Sequence, residues 1–142
     1  MKSVSHILSR KGNQVISVSP DTPVLDALKI MAEKNIGSVV VTREGRYCGL
    51  MTERDYARKV ILKGKSSADT RVGDIMSNEL PHIGPGDSID QCMRLMSENN
   101  IRYLPVFENG NLCGIVSIND VVKETIMAQQ ETIEQLHSYI HS

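Results

Sequence analysis

At 142 residues, with 40% hydrophobic and 23% charged side chains, the chain falls in the single-domain range and is long enough to bury a core. Sixteen basic against seventeen acidic residues leave a formal charge of −1, which excludes a bulk electrostatic pull toward nucleic acid or anionic membrane, so any anion site has to be local. Three cysteines, Cys48, Cys92 and Cys113, are an odd number without C-x-x-C spacing, which argues against a disulfide framework or zinc knuckle and for a reducing cytoplasm.

Met1 to Gln14 lacks the apolar run of a signal peptide, and no later stretch has the length of a membrane span, so a cytoplasmic protein without a membrane partner is expected. Asp21 or Thr22 is expected to cap a helix opened by Pro23, with Val24, Ala27, Leu28 and Met31 on one face. A β-branched run from Ser38 to Thr42, a turn at Glu44-Gly45 and a second strand from Tyr47 to Met51 predict a hairpin. Charged residues then open a second helix, Glu53 to Leu62, and the polar, aperiodic segment Lys63 to Thr70 reads as a linker.

The series then returns. Asp87, Ile89, Cys92, Met93 and Met96 repeat the helix face; Tyr103 to Phe107, Asn109-Gly110 and Leu112 to Ser117 repeat the hairpin; a helix begins at Asn119. It is predicted to run on through Ile126, Met127, Ile133, Leu136 and Ile140, and that apolar stripe needs a partner. Shifting the chain by 65 positions aligns residues 15 to 61 with 80 to 126 without a gap, with about eleven identities, among them Asn35-Ile36 with Asn100-Ile101, Cys48-Gly49 with Cys113-Gly114, and Asp55 with Asp120. Upstream, Val4 to Ser9 resembles Val72 to Ser77 at an offset of 68, so the first copy carries three extra residues within Arg10 to Gln14. Copies of about 65 residues are small for independent cores. The expected fold is therefore α+β, two pseudo-twofold-related β-α-β-β-α units packed through their sheets: a first copy over 1–62, a linker over 63–70, a second copy over 71–127 and a terminal helix over 128–142.

The residues carry a local logic for nucleotides. Thr52 or Ser117 places a hydroxyl at a helix N-terminus, where unpaired N–H groups and the dipole favour phosphate. Asp55 or Asp120, one turn along, suits two ribose hydroxyls, although the same carboxylate can also cap or brace its helix. Arg54, Arg58 and Arg102 are candidate phosphate partners, and Lys59 reads as a solvated helix face. Gly64-Lys65-Ser66 imitates the end of a P-loop but follows a helix and lacks the upstream glycine. No histidine set has metal-ligand spacing, and no nucleophile and base can be paired, so neither a metal site nor an enzyme is expected. Met31, Met93 and Met96 read as packing, and Cys48 and Cys113 as small buried hydrophobes.

A β/α repeat ending in Gly49-Leu50-Met51-Thr52-Glu53-Arg54-Asp55 and again in Gly114-Ile115-Val116-Ser117-Ile118-Asn119-Asp120 resembles the cystathionine-β-synthase (CBS) domain, and two in tandem resemble a Bateman module, as in stand-alone bacterial CBS-pair proteins. The resemblance implies a regulatory module, not an enzyme, that binds an adenosine nucleotide (AMP, ADP, ATP, NAD or S-adenosylmethionine) and acts on an unknown partner protein. It also implies a homodimer, a disc of four CBS domains, with the helix from Ala128 to Ser142 sealing an interface or capping the module. By the same resemblance, Ser117, Asn119 and Asp120 draw on Ile16, Ile36, Gly37 and Ser38, while Thr52, Arg54 and Asp55 draw on Pro81, Ile101, Arg102 and Tyr103. Lys11, in the three-residue expansion, can reach the Asp120 group. Gly37 against Arg102 and Ser38 against Tyr103 make the two sites unequal. The competing readings are a scaffold homodimer with vestigial clefts and, disfavoured by the near-neutral charge and few aromatics, nucleic-acid binding through Arg54, Arg58, Lys59, Lys63 and Lys65.

Overall fold

The computed structural model describes residues 2–12 and 14–141, with side chains through residue 140. Met1, Asn13, Ser142 and the His141 side chain, on which parts of the readings of the amino terminus, the expansion and the terminal helix fall, lie outside the described residues. The chain forms two compact units: a continuous one, Val15–Leu80, and a split one, Met1–Gln14 with Pro81–Ser142.

In the continuous unit, β1 (Ser17–Val18) runs parallel to β2 (Ser38–Arg43), which pairs antiparallel with β3 (Arg46–Thr52). Glu44 and Gly45 both take positive φ, 53° and 78°, the two-residue turn whose twist matches a hairpin. The helix α2 (Val24–Lys34) buries Val24, Ala27 and Met31 against Val39, Val41 and Met51. It ends on Asn35 in the left-handed region, a conformation asparagine tolerates, and Asn100 ends the equivalent helix in the same way. This accounts for one of the identities between the copies.

The start of α2 differs from the expectation. Pro23 occupies the cap position and no side chain caps it. The N–H groups of Val24 and Leu25 donate instead to the carbonyls of Thr70 (2.8 Å) and Ser67 (2.9 Å). The segment expected to be a linker thus supplies the cap, with Thr70 buried and its hydroxyl bonded to the Ser66 carbonyl. The helix expected over Glu53 to Leu62 is also interrupted: α3 (Glu53–Tyr56) passes into a π turn, Ala57–Ile61, which carries Val60 into the core. A short helix, α4 (Val72–Ile75), completes the unit and buries Val72 and Ile75 in the same core.

In the split unit, α5 (Ile89–Asn99) is capped by the Ser88 hydroxyl, which accepts from Gln91 N at 3.0 Å, while Asp87 instead holds the preceding turn through Gly84 N. β4 (Tyr103–Glu108) and β5 (Asn111–Ser117) form the second hairpin, and Ile83 bridges to Val106 in parallel, in the place β1 takes in the other unit. Cys92 and Met96 enter the core, but Met93 is 37% exposed, contrary to its expected packing role. The last helix, α6 (Ile118–His141), runs unbroken for 24 residues. The leading helix, α1 (Val4–Lys11), packs Val4, Ile7 and Leu8 into this core.

The lead-in of each sequence copy is therefore built into the unit formed by the other copy. α4, which precedes the second copy, lies in the Val15–Leu80 unit, and α1, which precedes the first, lies in the split unit. The compact units accordingly meet in sequence after Gln14 and after Leu80. The glycines of the repeated Cys-Gly pair make this contact in both units. A β-carbon on Gly49 would lie 2.6 Å from the Ser77 carbonyl oxygen, and one on Gly114 would lie 2.7 Å from Leu8 Cδ2. The cysteine before each glycine is the extra residue of a β-bulge, since Val41 pairs with Gly49 and Thr42 with Tyr47, and Val106 with Gly114 and Phe107 with Leu112. That position leaves both Cys48 and Cys113 only half-buried rather than in the core.

Candidate functional site

Thr52 and Ser117 end their hairpins one residue before a helix, and Asp55 and Asp120 sit at its third position. The spacing closes a reciprocal cap. Thr52 N donates to Asp55 Oδ2 (3.0 Å) while Asp55 N donates to Thr52 Oγ1 (3.1 Å); Ser117 N donates to Asp120 Oδ2 (2.8 Å) while Asp120 N donates to Ser117 Oγ (3.2 Å). The first helical N–H is taken as well, by the Gly37 carbonyl from Glu53 (3.1 Å) and by the Arg102 carbonyl from Ile118 (2.9 Å). The helix ends are therefore not the open anion sites that the sequence suggested. Each already carries its own carboxylate, and a phosphate placed there would face that charge.

Beyond the shared cap the two sites diverge. Asp55 is 5% exposed, and its second oxygen accepts from Ser77 Oγ (2.8 Å) and pairs with Lys59 Nζ (3.0 Å), while Thr52 Oγ1 also donates to Oδ2. Both carboxylate oxygens and the hydroxyl are thus committed to the fold. Lys59 also donates to the Ile75 carbonyl at 2.9 Å, so it braces α4 rather than forming a solvated face. Asp120 is more open, and both of its bonds fall on Oδ2: the cap, and Lys11 Nζ at 2.7 Å. Among the described residues neither bond uses Oδ1. Lys11 is held in place by a further bond to the Ile115 carbonyl at 2.8 Å.

The source of this difference is legible in the repeat. The position equivalent to Lys59 is Glu124, so the i+4 position that gives Asp55 its cation gives Asp120 none. The cation arrives from α1, which is eight residues long against four for α4. The added turn carries Arg10 and Lys11: Lys11 meets Asp120, and Arg10 Nε meets Glu124 Oε1 at 2.7 Å. Glu124 is 2% exposed, and no hydrogen-bond partner among the described residues meets its Oε2. Sequence reasoning missed Arg10, Glu124, Ser77 and the structural part played by Lys59. The charge reversal between Lys59 and Glu124 is the signal that could have found them.

The remaining expected residues fall as follows. Ile16, Ile36, Gly37, Ser38, Arg54 and Arg58 belong to the continuous unit; Pro81, Ile101, Arg102, Tyr103 and Asn119 belong to the split one. Ser38 pairs with Thr52 across the hairpin, as Tyr103 does with Ser117. The Ile16 carbonyl accepts from Val40 N, and Ile36 and Ile101 pack against their own cores. Arg58, Arg102 and Asn119 are exposed; Arg54 and Pro81 are half-buried. Burial pushes the Cys92 thiol up to about 11, with Asp87 adding to it, and raises the Cys113 thiol, so neither is poised as a thiolate.

The CBS domain family matches the chain twice, over residues 4–62 and 72–126. The chain belongs to the CBS-domain family. Its relatives include the mitochondrial CBS domain-containing protein CBSX3 of Arabidopsis thaliana, 37% identical over 97% of this chain and 71% of that protein. The CBS domain-containing protein YhcV of Bacillus subtilis is 32% identical over 83% of this chain and 84% of that protein. A solved CBS-domain structure from Burkholderia ambifaria is 43% identical with a TM-score of 0.86, covering 90% of this chain and 96% of that one. The CBS pair is thus an α+β Bateman module of a class generally regulatory and nucleotide-binding. No helix among the described residues is long and apolar enough to cross a membrane.

Proposed function

We propose that this CBS pair is a non-catalytic sensor that binds an adenosine nucleotide chiefly through the Asp120 group and passes a change of state to a partner protein. The observation that carries the reading is Lys11 Nζ at 2.7 Å from Asp120 Oδ2, beside an Oδ1 that no described residue engages. A carboxylate oxygen open to donors suits the vicinal hydroxyls of a ribose, and an ammonium one bond away suits a phosphate. On binding, Lys11 exchanges a carboxylate partner for a phosphate, so the bond between α1 and α6 is the element the ligand biases. Asp55, with both oxygens committed, is the weaker or silent counterpart. Ile16, Ile36, Gly37 and Ser38 with the Asp120 group, and Pro81, Ile101, Arg102 and Tyr103 with Thr52, Arg54 and Asp55, are the further contacts carried over from the family resemblance. We place the protein in a reducing cytosol, in keeping with three unpaired cysteines, and as a homodimer.

Calorimetric titration of AMP, ADP, ATP, NAD, S-adenosylmethionine and adenosine tests this. Asp120→Ala weakens every ligand, Lys11→Ala weakens only those with a phosphate, and Asp55→Asn lowers stability without abolishing the main binding event. Absence of binding tighter than about millimolar, roughly −4 kcal/mol, overturns the sensor reading. The alternative, a scaffold homodimer with vestigial sites, is favoured by one observation, the closure of the Asp55 group by Ser77 and Lys59.

A further inference from the structure

The helix α6 has two faces. Val121 and Glu124 are buried, and Thr125 and Ala128 are half-buried, on the face that packs on its own unit. At 100° per residue a second stripe lies about 110° further round: Val122, Ile126, Gln129, Ile133, Leu136 and Ile140. Its five apolar members are 47–74% exposed, and Gln129 is exposed too. Their spacing alternates four and three residues without a break, which is the 3.5-residue repeat of a coiled coil and not the 3.6-residue repeat of a helix lying on a globular core. Met127, grouped with this stripe on sequence grounds, falls outside it and its sulfur accepts from Arg10.

We infer that α6 pairs with α6 of a second copy of this chain as a parallel two-stranded coiled coil; the inference rests on the homodimer reading above and specifies its interface. Three features select this occupant. The three a positions of the stripe are isoleucine (Ile126, Ile133, Ile140), the β-branched choice at a that favours two parallel strands, and of the d positions Val122, Gln129 and Leu136 the last carries the matching leucine. The flanking positions are Lys123, Thr125, Gln130, Thr132, His137 and Tyr139, so two identical helices in register bring only one like-charged lysine pair near the seam, at its N-terminal end. Gln129 is the single polar seam residue, and in register it meets its own copy, where each amide can donate to and accept from the other.

The test combines sedimentation with cysteine cross-linking of the full chain. The wild type is expected to sediment as a dimer at micromolar concentration, and Ile133→Asp with Ile140→Asp as a folded monomer. Under mild oxidation Ile133→Cys is expected to link to itself between chains, while Ser138→Cys, on the outer face of the same helix, does not. Equal cross-linking at both positions, or a doubly substituted variant that stays dimeric, overturns the coiled coil while leaving a homodimer through another surface intact. A monomeric wild type overturns both.

Discussion

The Arg10–Glu124 pair offers a prediction that depends on burial rather than on any ligand. Glu124 has a side chain 3% exposed, with Arg10 Nε 2.7 Å from Oε1 and no described donor at Oε2. Arg10→Ala removes the one cation that pairs with this carboxylate among the described residues. Breaking a fully buried ion pair from one side costs about 3–5 kcal/mol, but Arg10 is 41% exposed, so part of the Coulomb energy is already screened and about 2 kcal/mol is expected. Urea denaturation at fixed protein concentration reads this as a lower midpoint with an unchanged slope. Heat denaturation should show a fall of about 4–8 °C. The mechanism makes a second demand: Glu124→Gln in the Arg10→Ala background leaves no buried charge and should recover at least half of the loss. An Arg10→Ala protein within about 0.5 kcal/mol of wild type, or a double variant worse than the single one, would show that Arg10 does not compensate a buried charge on Glu124.

Gly49→Ala sets a β-carbon against the rigid Ser77 carbonyl and should cost about 1–3 kcal/mol in urea, whereas Gly114→Ala meets only the end of the Leu8 side chain and should cost less than about 1 kcal/mol. Ser88→Ala removes the acceptor for Gln91 N and should cost about 1 kcal/mol by the same assay. Burial raises the Cys92 thiol from 9.0 to about 11, so the neutral thiol is the form the fold favours. Its contribution is complete below pH 9 and lost as pH rises through about 11; stability measured across that window should fall, and Cys92→Ala should flatten the fall. A thiol reagent at neutral pH should label Cys48 and Cys113 well before Cys92.

The repeat was legible in sequence because it is written in residues with single structural uses. Asn35 and Asn100 end helices in the left-handed region, Gly45 and Gly110 turn hairpins, and Cys-Gly marks a bulge followed by a close approach. Lys11 beside Asp120 was legible too, once the three-residue expansion was seen. What escaped was everything that depends on which segments meet. Periodicity is local, so it could not tell that α1 joins the second copy's core and α4 the first's, nor that Ser67 and Thr70 cap α2. The aspartates were ambiguous for the same reason. Both read as ribose or cap residues in isolation, and only the partners supplied by α4 and the π turn, Ser77 and Lys59, close one and not the other.

The two aspartates, at equivalent positions of the repeat, are unequal in use. Isothermal titration of ATP and adenosine into wild type, Asp120→Ala, Lys11→Ala and Asp55→Asn tests this most directly. Asp120→Ala is expected to weaken both ligands at least tenfold, Lys11→Ala to weaken ATP alone, and Asp55→Asn to retain the principal binding event. Binding that survives Asp120→Ala and vanishes in a folded Asp55→Asn protein would contradict that expectation.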